Sequence, residues 1–516
     1  MNNKAGLANK DQKYTLYFWL LLLLGIFLRC LLFGVVPGGI NMDEAFAGYE
    51  AYSLLNYGTD SAGYHFPVYL VTWGSGMNAL ESYLMMPFIA LFGLNSVTVR
   101  LPQLIVGILS LPVIYKLVSR LYNPKTGIIA MGLLTVCPWH IMMNRWGLES
   151  NLAPGMILFA TYFLVKAFDN RFYLILSAFF YGLSLYAYAT IWTIVPFILL
   201  FELAYLFYTR KIRFDISFII SAAVMLILAL PLILFVMVNM GWINEIRTSF
   251  FSIPKMPVFR SNEVSLSNLG ENLRYSLYVI FAQYDGLVHN GIAGFGTIGF
   301  ITFIFSVFGC LVMFRNIRSS VKKDRRAFCA DVITAVNLIL PLFLGLTIQV
   351  NINRINVIFI PLIIAASLRF SEIDGKKMSY VFIGLYAALT IAFGVVYFTS
   401  YKDKVAESFG TGLKEALAEA DSREGTVYLS YDIYHSQVLF YEKVPVNEYL
   451  DTVVYEEYPA VWLYPVTFSR YSFFVNLDDP DPSGTYILNN VVDASPLEAK
   501  GYKITRYGIY NVAYKN

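Results

Sequence analysis

The chain has 516 residues, of which 57% are hydrophobic and 14% are charged, and its formal net charge is +3. Soluble domains carry roughly 25% charged residues, so this deficit excludes an ordinary soluble protein and indicates a membrane protein. The small net charge, without a basic stripe interleaved with aromatic residues, predicts no nucleic-acid partner.

The first apolar segment runs from Tyr14 to Gly34 and follows Lys4, Lys10 and Lys13. As an α-helix its roughly 21 residues would span about 31 Å, which matches the hydrocarbon core of a bilayer. A signal peptide has a shorter apolar core and a small-residue cleavage site. The segment is therefore predicted to be an uncleaved first transmembrane helix.

Ten further apolar blocks follow, so the sequence predicts about eleven crossings. The blocks are Ser96–Arg120, Thr126–Ile141, Asn151–Val165, Phe172–Thr190, Ile191–Phe207, Ile216–Val238, Phe295–Phe314, Val332–Val350, Ile355–Leu368 and Val381–Thr399. Only the Ala187–Thr193 region separates the fourth block from the fifth, which makes this division the weakest of the set.

The basic residues favour one orientation of these crossings. Between Gly34 and Val99 the chain has no Lys or Arg, whereas the segment from Arg315 to Arg326 has six. Because cytoplasmic loops are enriched in Lys and Arg, the N-terminus is predicted to be cytoplasmic. The chain is accordingly predicted to be a multi-pass cell-membrane protein in contact with membrane lipids.

The predicted fold class is mainly α, with a polytopic membrane helical bundle at residues 1–399. Two large loops, 35–95 and 241–294, face outward, and apolar residues at helical spacing between Leu80 and Leu91 predict an interfacial helix in the first. Asn41–Ser53 can form a second short helix there. After Thr399 short helical and strand-like segments alternate, which predicts a small extracytoplasmic α/β domain at residues 400–516.

The strongest local pattern is Asn41-Met42-Asp43-Glu44, just after the first crossing. Asn41 is a good N-cap, and Glu44 three residues later gives an arrangement like a capping box. Asp43 would lie in the first helical turn, where the helix dipole favours a carboxylate that can orient a hydroxyl and accept its proton. The simpler interpretation, that both acids only begin a helix, fits Glu44 better than Asp43.

Five acidic residues share the first outer loop without a basic residue: Asp43, Glu44, Glu50, Asp60 and Glu81. Unpaired carboxylates beside a bilayer suggest a site for hydroxyl-rich or cationic ligands. The acids could hold a divalent metal, but no tight ligand spacing such as Asp-x-Asp is present. No metal and no other cofactor is therefore expected.

A second pattern comprises Pro138-Trp139-His140 and Arg145-Trp146-Gly147-Leu148-Glu149, in a short outer turn. Arg145 and Glu149 are four residues apart and could pair with each other on one helical turn. Alternatively, His140 or Arg145 faces a cavity and helps to hold an anionic leaving group.

The third pattern is Asn351-Ile352-Asn353-Arg354, between two apolar helices on the predicted outer side. Because an arginine there runs against the charge bias, Arg354 is a candidate phosphate ligand, the alternative being an arginine that snorkels to the interface. The second outer loop adds Arg260 and Asp285 as candidate substrate residues.

These residues together resemble the GT-C superfamily, specifically family 39 and its relatives. That group includes protein O-mannosyltransferases, aminoarabinose transferases and galacturonosyltransferases. The resemblance covers most of Tyr14–Phe207 and Asn351–Pro361. The motifs that carry it, besides the second pattern above, are Asp43-Glu44, Gly58-Thr59-Asp60, Pro67-Val68-Tyr69, Trp73-Gly74-Ser75-Gly76 and Arg100-Leu101-Pro102.

The resemblance implies a glycosyltransferase whose partners are a polyprenyl-phosphate-sugar donor and a glycan, lipid or protein acceptor. Asp43 would be the catalytic acid/base and would activate an acceptor hydroxyl for attack with inversion. Arg260 and Arg354 would bind the donor phosphate, where charge develops during C–O cleavage. The implied substrate-binding residues are Glu44, Glu81, His140, Arg145, Glu149 and Asp285.

The chain departs from the O-mannosyltransferases, because Met85-Met86-Pro87 lies near the place of their His-Pro-Pro run and their β-trefoil domain is absent. Protein O-mannosylation is therefore not the expected activity. The principal alternative is a transporter or flippase for a lipid-linked saccharide, although such proteins usually place ionisable residues at mid-membrane depth. A membrane scaffold without enzymatic activity is a third interpretation.

Overall fold

The computed structural model describes residues 2–259 and 267–515, with side chains described from Gln12 onward. Up to residue 398 the structure is mainly helical, with two short two-stranded sheets in the loops. Its helices are α1 (Asn2–Cys30), α2 (Met42–Tyr57), α3 (Leu80–Phe92), α4 (Ser96–Leu121), α5 (Pro124–Thr135), α6 (Pro138–Met143), α7 (Leu152–Lys166), α8 (Phe172–Ser184), α9 (Val195–Tyr208), α10 (Ile216–Asn239), α11 (Leu269–Ala282), α12 (Phe300–Lys323), α13 (Ala330–Thr347), α14 (Ile352–Ile355), α15 (Phe359–Ser371) and α16 (Lys376–Phe398).

Each predicted apolar block contains a helix. Seven helices in the described part of the chain are long and apolar enough to cross a membrane, namely α1, α4, α10, α12, α13, α14 joined to α15, and α16. The helices α5, α7, α8 and α9 have 12, 15, 13 and 14 residues, which is shorter than the roughly 20 residues of a typical crossing. A multi-pass membrane fold is confirmed, and the count of eleven crossings stays a prediction.

One predicted block differs from the structure. Thr126–Ile141 is two helices rather than one, because α5 ends at Thr135 and Pro138 begins α6. Proline suits the first turn of a helix, where its missing N–H leaves no bond unmade. The break turns the chain so that residues 138–151 run along the predicted outer end of the bundle.

The interior of the bundle lies around α15. In the apolar stretch Ile352–Ser371, 83% of the residues of its most apolar part are buried inside the structure. The corresponding share is 11% for α16 and 17% for α10. A helix that is apolar all round and largely buried lies in a core, whereas an apolar helix with little burial has a surface suited to lipid. The largest hydrophobic cluster accordingly joins α15 to residues of α4, α5 and α7.

Segments that the charge pattern assigns to the inside meet at one end of the bundle. The Lys125 ammonium, after α4, donates to the Ser371 carbonyl at the end of α15 at 2.7 Å. Arg315, late in α12, pairs with Glu372 at 2.5 Å. The two outer loops meet at the other end, where the backbone N–H of Val68 donates to the Ser252 carbonyl at 3.0 Å.

The C-terminal region contains both strands and helices. The described strands of the chain are β1 (Tyr69–Leu70), β2 (Met77–Asn78), β3 (Ile246–Arg247), β4 (Ser252–Ile253), β5 (Val427–Leu429), β6 (Val454–Tyr455), β7 (Pro465–Phe468), β8 (Tyr471–Ser472), β9 (Thr485–Asn489), β10 (Lys503–Tyr507) and β11 (Tyr510–Tyr514). The C-terminal helices are α17 (Tyr401–Val405), α18 (Leu413–Asp421), α19 (His435–Glu442), α20 (Val446–Thr452) and α21 (Ser495–Ala499).

A seven-stranded sheet forms the core of the C-terminal region, in the order β10-β11-β9-β5-β8-β7-β6. Strand β5 is parallel to both β8 and β9, and the remaining pairs are antiparallel. The predicted fold class, a helical membrane bundle with a C-terminal α/β unit, is confirmed.

The C-terminal domain sits on the first outer loop. Helix α19 packs against α2. The Gln437 amide donates to the Ile40 carbonyl at 2.7 Å, and the Tyr49 hydroxyl donates to the Val444 carbonyl at 2.7 Å. These bonds fix the domain over the start of α2, which carries the acidic pair. The division of the chain at residue 399 stays a prediction.

Candidate active site

Asp43 lies in the first turn of α2, half-buried. The predicted capping box is present, since the Asn41 side chain accepts from the backbone N–H of Asp43 at 3.0 Å and the Glu44 carboxylate accepts from that of Asn41 at 3.4 Å. The indole N–H of Trp73 donates to Oδ1 of Asp43 at 3.1 Å. The helix start and the indole together orient the carboxylate.

Glu44 is fully buried and is held by the protein itself. Its two oxygens accept from Nε and Nη2 of Arg100 at 2.7 and 2.9 Å, and Oε1 also accepts from the backbone N–H of Gly147 at 2.8 Å. Breaking such a buried pair typically costs about 3–5 kcal/mol, because one charge is left without its partner. The structure places Glu44 between α2 and α4 as a positioning group, and its predicted substrate contact stays a prediction.

The Trp73-Gly74-Ser75-Gly76 motif forms a tight turn next to Asp43. Trp73 has φ of +58°, a left-handed conformation that is unfavourable for a bulky residue, and Gly74 has φ of +85°. A Cβ on Gly74 would lie 2.4 Å from the Ala460 carbonyl oxygen, so only glycine allows the C-terminal domain to approach this closely. The backbone N–H of Leu463 completes the contact by donating to the Trp73 carbonyl at 3.0 Å.

Aromatic side chains of the C-terminal domain surround Trp73. Its ring lies 5.1 Å from His435, 5.9 Å from Tyr434 and 5.9 Å from Trp462, measured between centroids. Burial lowers the pKa of His435 to about 3, so this imidazole is a neutral part of the wall. Sequence reasoning missed these three residues, because no local pattern links them to a loop more than 350 positions earlier.

Glu149 and Glu81 lie in the same region as Asp43. Glu149 accepts from the backbone N–H of Asn78 through a short hydrogen bond. Burial raises the pKa of Glu149 to about 8, and the negative charge of Asp43 adds to this effect. Oε2 of Glu81 accepts from Gln103 at 2.8 Å, and its Oε1 is buried without a hydrogen-bond partner among the described residues. The structure therefore brings together the predicted carboxylates of two distant segments.

Arg145 and His140 are buried and bind the protein at the end of α1. The Arg145 guanidinium donates to the carbonyls of Arg29 and Leu31, each at 2.7 Å. It does not pair with Glu149, so that interpretation of their spacing is wrong. Nδ1 of His140 lies 2.5 Å from the Arg29 guanidinium. Both residues stabilise the exit of the first helix, and a substrate contact by either stays a prediction.

A second group of predicted residues lies where the second outer loop meets α14. Oδ2 of Asp285 accepts from the backbone N–H of Ile352 at 2.9 Å and from the Asn290 amide at 2.8 Å. The half-buried Arg354 donates from Nη1 to the Gln349 carbonyl at 2.9 Å. The structure brings Asp285 and the Arg354 segment together. Arg260, the other predicted phosphate ligand, lies outside the described residues.

A narrow crevice lies beside Asn353, and Trp146, His289 and Asn290 are among its lining residues. Nδ1 of His289 and Oδ1 of Asn290 are buried and have no hydrogen-bond partner in the described ranges. Burial lowers the pKa of His289, although the neighbouring Asp285 counteracts this. Buried polar atoms without partners indicate that the crevice can accept a polar ligand group.

Residues 146–150 connect this crevice to the carboxylates. The ring of Trp146 lies 5.4 Å from that of His289, while the next residue, Gly147, donates to Glu44. The Ser150 carbonyl accepts from the Asn356 amide at 2.9 Å.

Within the described part of the chain, no group of three or more His, Cys, Asp and Glu residues could hold a metal ion.

Comparison with known proteins gives matches at the levels of family and fold. Residues 79–235 match the family model described as dolichyl-phosphate-mannose-protein mannosyltransferase. No curated protein sequence matches the chain. The family match spans the carboxylate region at Glu81 and Glu149 but not Asp43.

Two crystal structures of ArnT from Cupriavidus metallidurans share the fold over nearly the whole chain. The apo form has a TM-score of 0.59 at 11% identity, and the match covers 98% of each chain. The form bound to undecaprenyl phosphate has a TM-score of 0.58 at 11% identity, again over 98% of each chain. The oligosaccharyltransferase of Archaeoglobus fulgidus tethered with an acceptor peptide matches with a TM-score of 0.49 at 12% identity, over 85% of this chain and 63% of that one.

The ArnT match includes the C-terminal domain as well as the bundle, since it leaves only a small part of either chain unmatched. The chain therefore shares the fold of ArnT over nearly its whole length, and its residues 79–235 match the mannosyltransferase family model.

Proposed function

We propose that the chain transfers a sugar from a polyprenyl-phosphate donor to an acceptor hydroxyl at the extracytoplasmic membrane surface, with inversion at the sugar carbon. The observation that carries the proposal is the position of Asp43, a half-buried carboxylate held by the Trp73 indole at the junction of bundle and C-terminal domain. The undecaprenyl phosphate bound to ArnT, which has the same fold, supports a lipid-phosphate donor.

In the proposed reaction the acceptor oxygen attacks the anomeric carbon of the donor sugar. As that C–O bond forms, the bond between the anomeric carbon and the phosphate oxygen breaks, and its electron pair leaves with the lipid phosphate. The acceptor proton passes to the Asp43 carboxylate. General base catalysis of this kind contributes roughly 10²–10⁴-fold to the rate.

Glu149 is proposed to bind substrate as a neutral acid. Because burial and the charge of Asp43 raise its pKa to about 8, its carboxyl carries a proton near neutral pH. A protonated carboxyl can donate a hydrogen bond to a sugar hydroxyl or accept one from it. Glu81, buried nearby with a free Oε1 atom, is proposed to complete this polar wall.

The donor phosphate is proposed to bind near Arg354 and the crevice beside Asn353. A guanidinium binds phosphate oxygens through paired donors, and the buried Nδ1 of His289 could add a further contact. Arg260 is retained as a second phosphate ligand on sequence grounds. Asp285 is proposed to act through its bond to the backbone of Ile352, which positions the Arg354 segment.

The experiment measures release of polyprenyl phosphate and transfer of labelled sugar in liposomes, using a panel of undecaprenyl-phosphate hexoses and pentoses with extracted cell-envelope lipids as acceptors. Asp43→Asn keeps the shape of the side chain but removes the base, and should lower transfer by roughly 10²-fold or more. Glu498→Gln, at an exposed acid of the C-terminal domain, is the matched control and should leave transfer unchanged.

Full transfer by the Asp43→Asn protein would overturn the proposed mechanism. Transbilayer movement of the labelled lipid without any transfer would instead establish the flippase alternative.

A further inference from the structure

Four aromatic side chains lie near one another beside Asp43 and are here called the aromatic platform: Trp73, Tyr434, Trp462 and Tyr464. Trp73 is buried at the base, while Trp462 and Tyr464 are 43% and 47% exposed. Exposing such large rings has a free-energy cost of the order of 25 cal/mol per Å² of apolar surface. An exposed aromatic group next to a polar reaction centre indicates a ligand surface.

The platform is linked directly to the catalytic carboxylate. Trp73 donates to Asp43 at 3.1 Å and also lies 5.9 Å from the ring of Trp462. Tyr434 is close to the same groups, since its ring lies 5.9 Å from that of Trp73. Burial raises the pKa of Tyr434, and the neighbouring Tyr464 and Asp43 add to this effect. A ring-shaped ligand lying on Trp462 would therefore be adjacent to Asp43.

The charged residues that the platform's own segments supply are acidic. Asp432 lies beside Tyr434, and its Oδ1 is buried without a hydrogen-bond partner in the described chain. Glu456 is exposed, and its backbone N–H donates to the Tyr464 carbonyl at 2.9 Å. The sequence has no Lys or Arg at positions 35–99 or 444–469, so no basic residue of these segments offsets the acids. An anionic ligand would meet like charges here.

We propose that the aromatic platform binds the acceptor as an uncharged or amine-bearing saccharide, whose ring stacks on Trp462 and presents a hydroxyl to Asp43. This inference rests on the proposed function. Sugar rings offer an apolar C–H face to an aromatic ring, while their hydroxyls bind carboxylates such as Asp432. An amine on the saccharide adds attraction to the aromatic faces.

The assignment gives the C-terminal domain a defined role. Three of the four platform rings belong to this domain, and the Leu463 bond to Trp73 holds them against the outer loop. Acceptor selection then depends on the C-terminal domain, while the base and the donor site belong to the membrane bundle.

The test measures saccharide binding to the full-length protein in lipid nanodiscs by isothermal titration, without donor. The probes are cellotetraose, a glucosamine tetramer and tetragalacturonate, which are neutral, cationic and anionic. Trp462→Ala should weaken binding of cellotetraose and of the glucosamine tetramer by about tenfold or more, because one stacking contact is lost. Trp462→Phe keeps an aromatic ring, so its affinity for both should stay within about threefold of the parent's. Phe474→Ala, an exposed aromatic of the same domain, is the control and should bind as the parent does.

Unchanged binding by Trp462→Ala, or tightest binding of tetragalacturonate, would overturn the inference. The same holds if neither cellotetraose nor the glucosamine tetramer binds at about 10 mM, well above the millimolar affinity expected of a weak site. Quenching of Trp462 by brominated lipids without any saccharide response would identify a membrane-facing surface instead. Saccharide binding by the parent protein that depends on Trp462, without transfer from any donor, would overturn only the proposed function.

Discussion

The proposed role of Glu149 depends on its carboxyl being neutral when substrate binds. It is neutral near pH 7 because burial raises its pKa to about 8, and it loses its proton only above that pH. The transfer rate should therefore fall as the pH rises past about 8, since a charged Glu149 can no longer donate a hydrogen bond. Glu149→Gln stays neutral at every pH and should lack this alkaline decline. The pH–rate profiles of the two proteins between about pH 6 and 10 make the comparison.

The informative part of those profiles is the alkaline limb rather than the rate at neutral pH. A substitution that only disturbed packing would lower the rate equally at all pH values. The same decline above pH 8 in the Glu149→Gln protein would show that another group titrates there.

At the scale of single residues, the sequence predicted local patterns and missed distant partners. The capping box at Asn41 and Glu44 could be predicted because its members are three positions apart. The pairing of Glu44 with Arg100 could not, since 56 residues separate them. Arg145 was predicted to pair locally or to face a cavity, yet it binds backbone carbonyls at the end of α1. Every residue has a backbone carbonyl, so the sequence gives no sign of such a partner.

At the scale of elements, the turn at Gly74 determines how closely the C-terminal domain approaches the outer loop. Gly74→Ala would add strain at φ +85° and bring a Cβ within 2.4 Å of the Ala460 oxygen and 2.8 Å of Leu463. The variant should lower the free energy of unfolding by more than the roughly 1–2 kcal/mol expected for left-handed strain alone. It should also increase proteolysis of residues 455–464. Thermal unfolding and limited proteolysis of the purified protein provide the measurements.

Gly58 supplies a control for this substitution. It has φ of +74° and ψ of 2° at the end of α2, and a Cβ there would lie 3.9 Å from its nearest neighbours, which is ordinary van der Waals contact. Gly58→Ala therefore carries left-handed strain without a collision. Equal destabilisation by the two substitutions would show that the close approach at Ala460 contributes nothing.

The helices themselves were largely predictable, because their signal is local periodicity and hydrophobicity. The helix predicted between Leu80 and Leu91 is present as α3 (Leu80–Phe92), and α10 differs from its predicted block by one residue. The break between α5 and α6 was not predicted, because Pro138 lies in a continuous apolar run. The turn becomes visible only from the position of residues 138–151 in the structure. Four of the predicted crossings correspond to helices shorter than the roughly 20 residues of a typical bilayer span.

At the scale of the whole molecule, the contact between the C-terminal domain and the first outer loop could not be predicted from the sequence. The composition after Thr399 predicted a separate α/β domain, but not that its residues 434–464 would complete the surroundings of Asp43. Contacts such as Gln437 with Ile40 join positions 397 apart, and no periodicity encodes them. The predicted site was therefore incomplete on the side where the acceptor is proposed to bind.

The orientation of the whole chain gives a final prediction, which can be tested by cysteine labelling. Single cysteines at Asn56 in α2, Ser483 in the C-terminal domain and Arg318 in α12 would be introduced after replacing the four native cysteines, each at an exposed position. The first two should react with a membrane-impermeant maleimide on intact cells. Arg318→Cys should react only after permeabilisation, because six basic residues between 315 and 326 favour the cytoplasm.

The structure links the labelling outcomes at Asn56 and Ser483. The C-terminal domain is hydrogen-bonded to the start of α2, so the Asn56 and Ser483 positions must lie on the same side of the membrane. Labelling of both only after permeabilisation would place Asp43 in the cytoplasm and remove the proposed reaction from the outer surface. Labelling of Asn56 and Ser483 from opposite sides of the membrane would contradict the contact between the C-terminal domain and α2. It would also contradict the acceptor site proposed at Trp73 and Trp462.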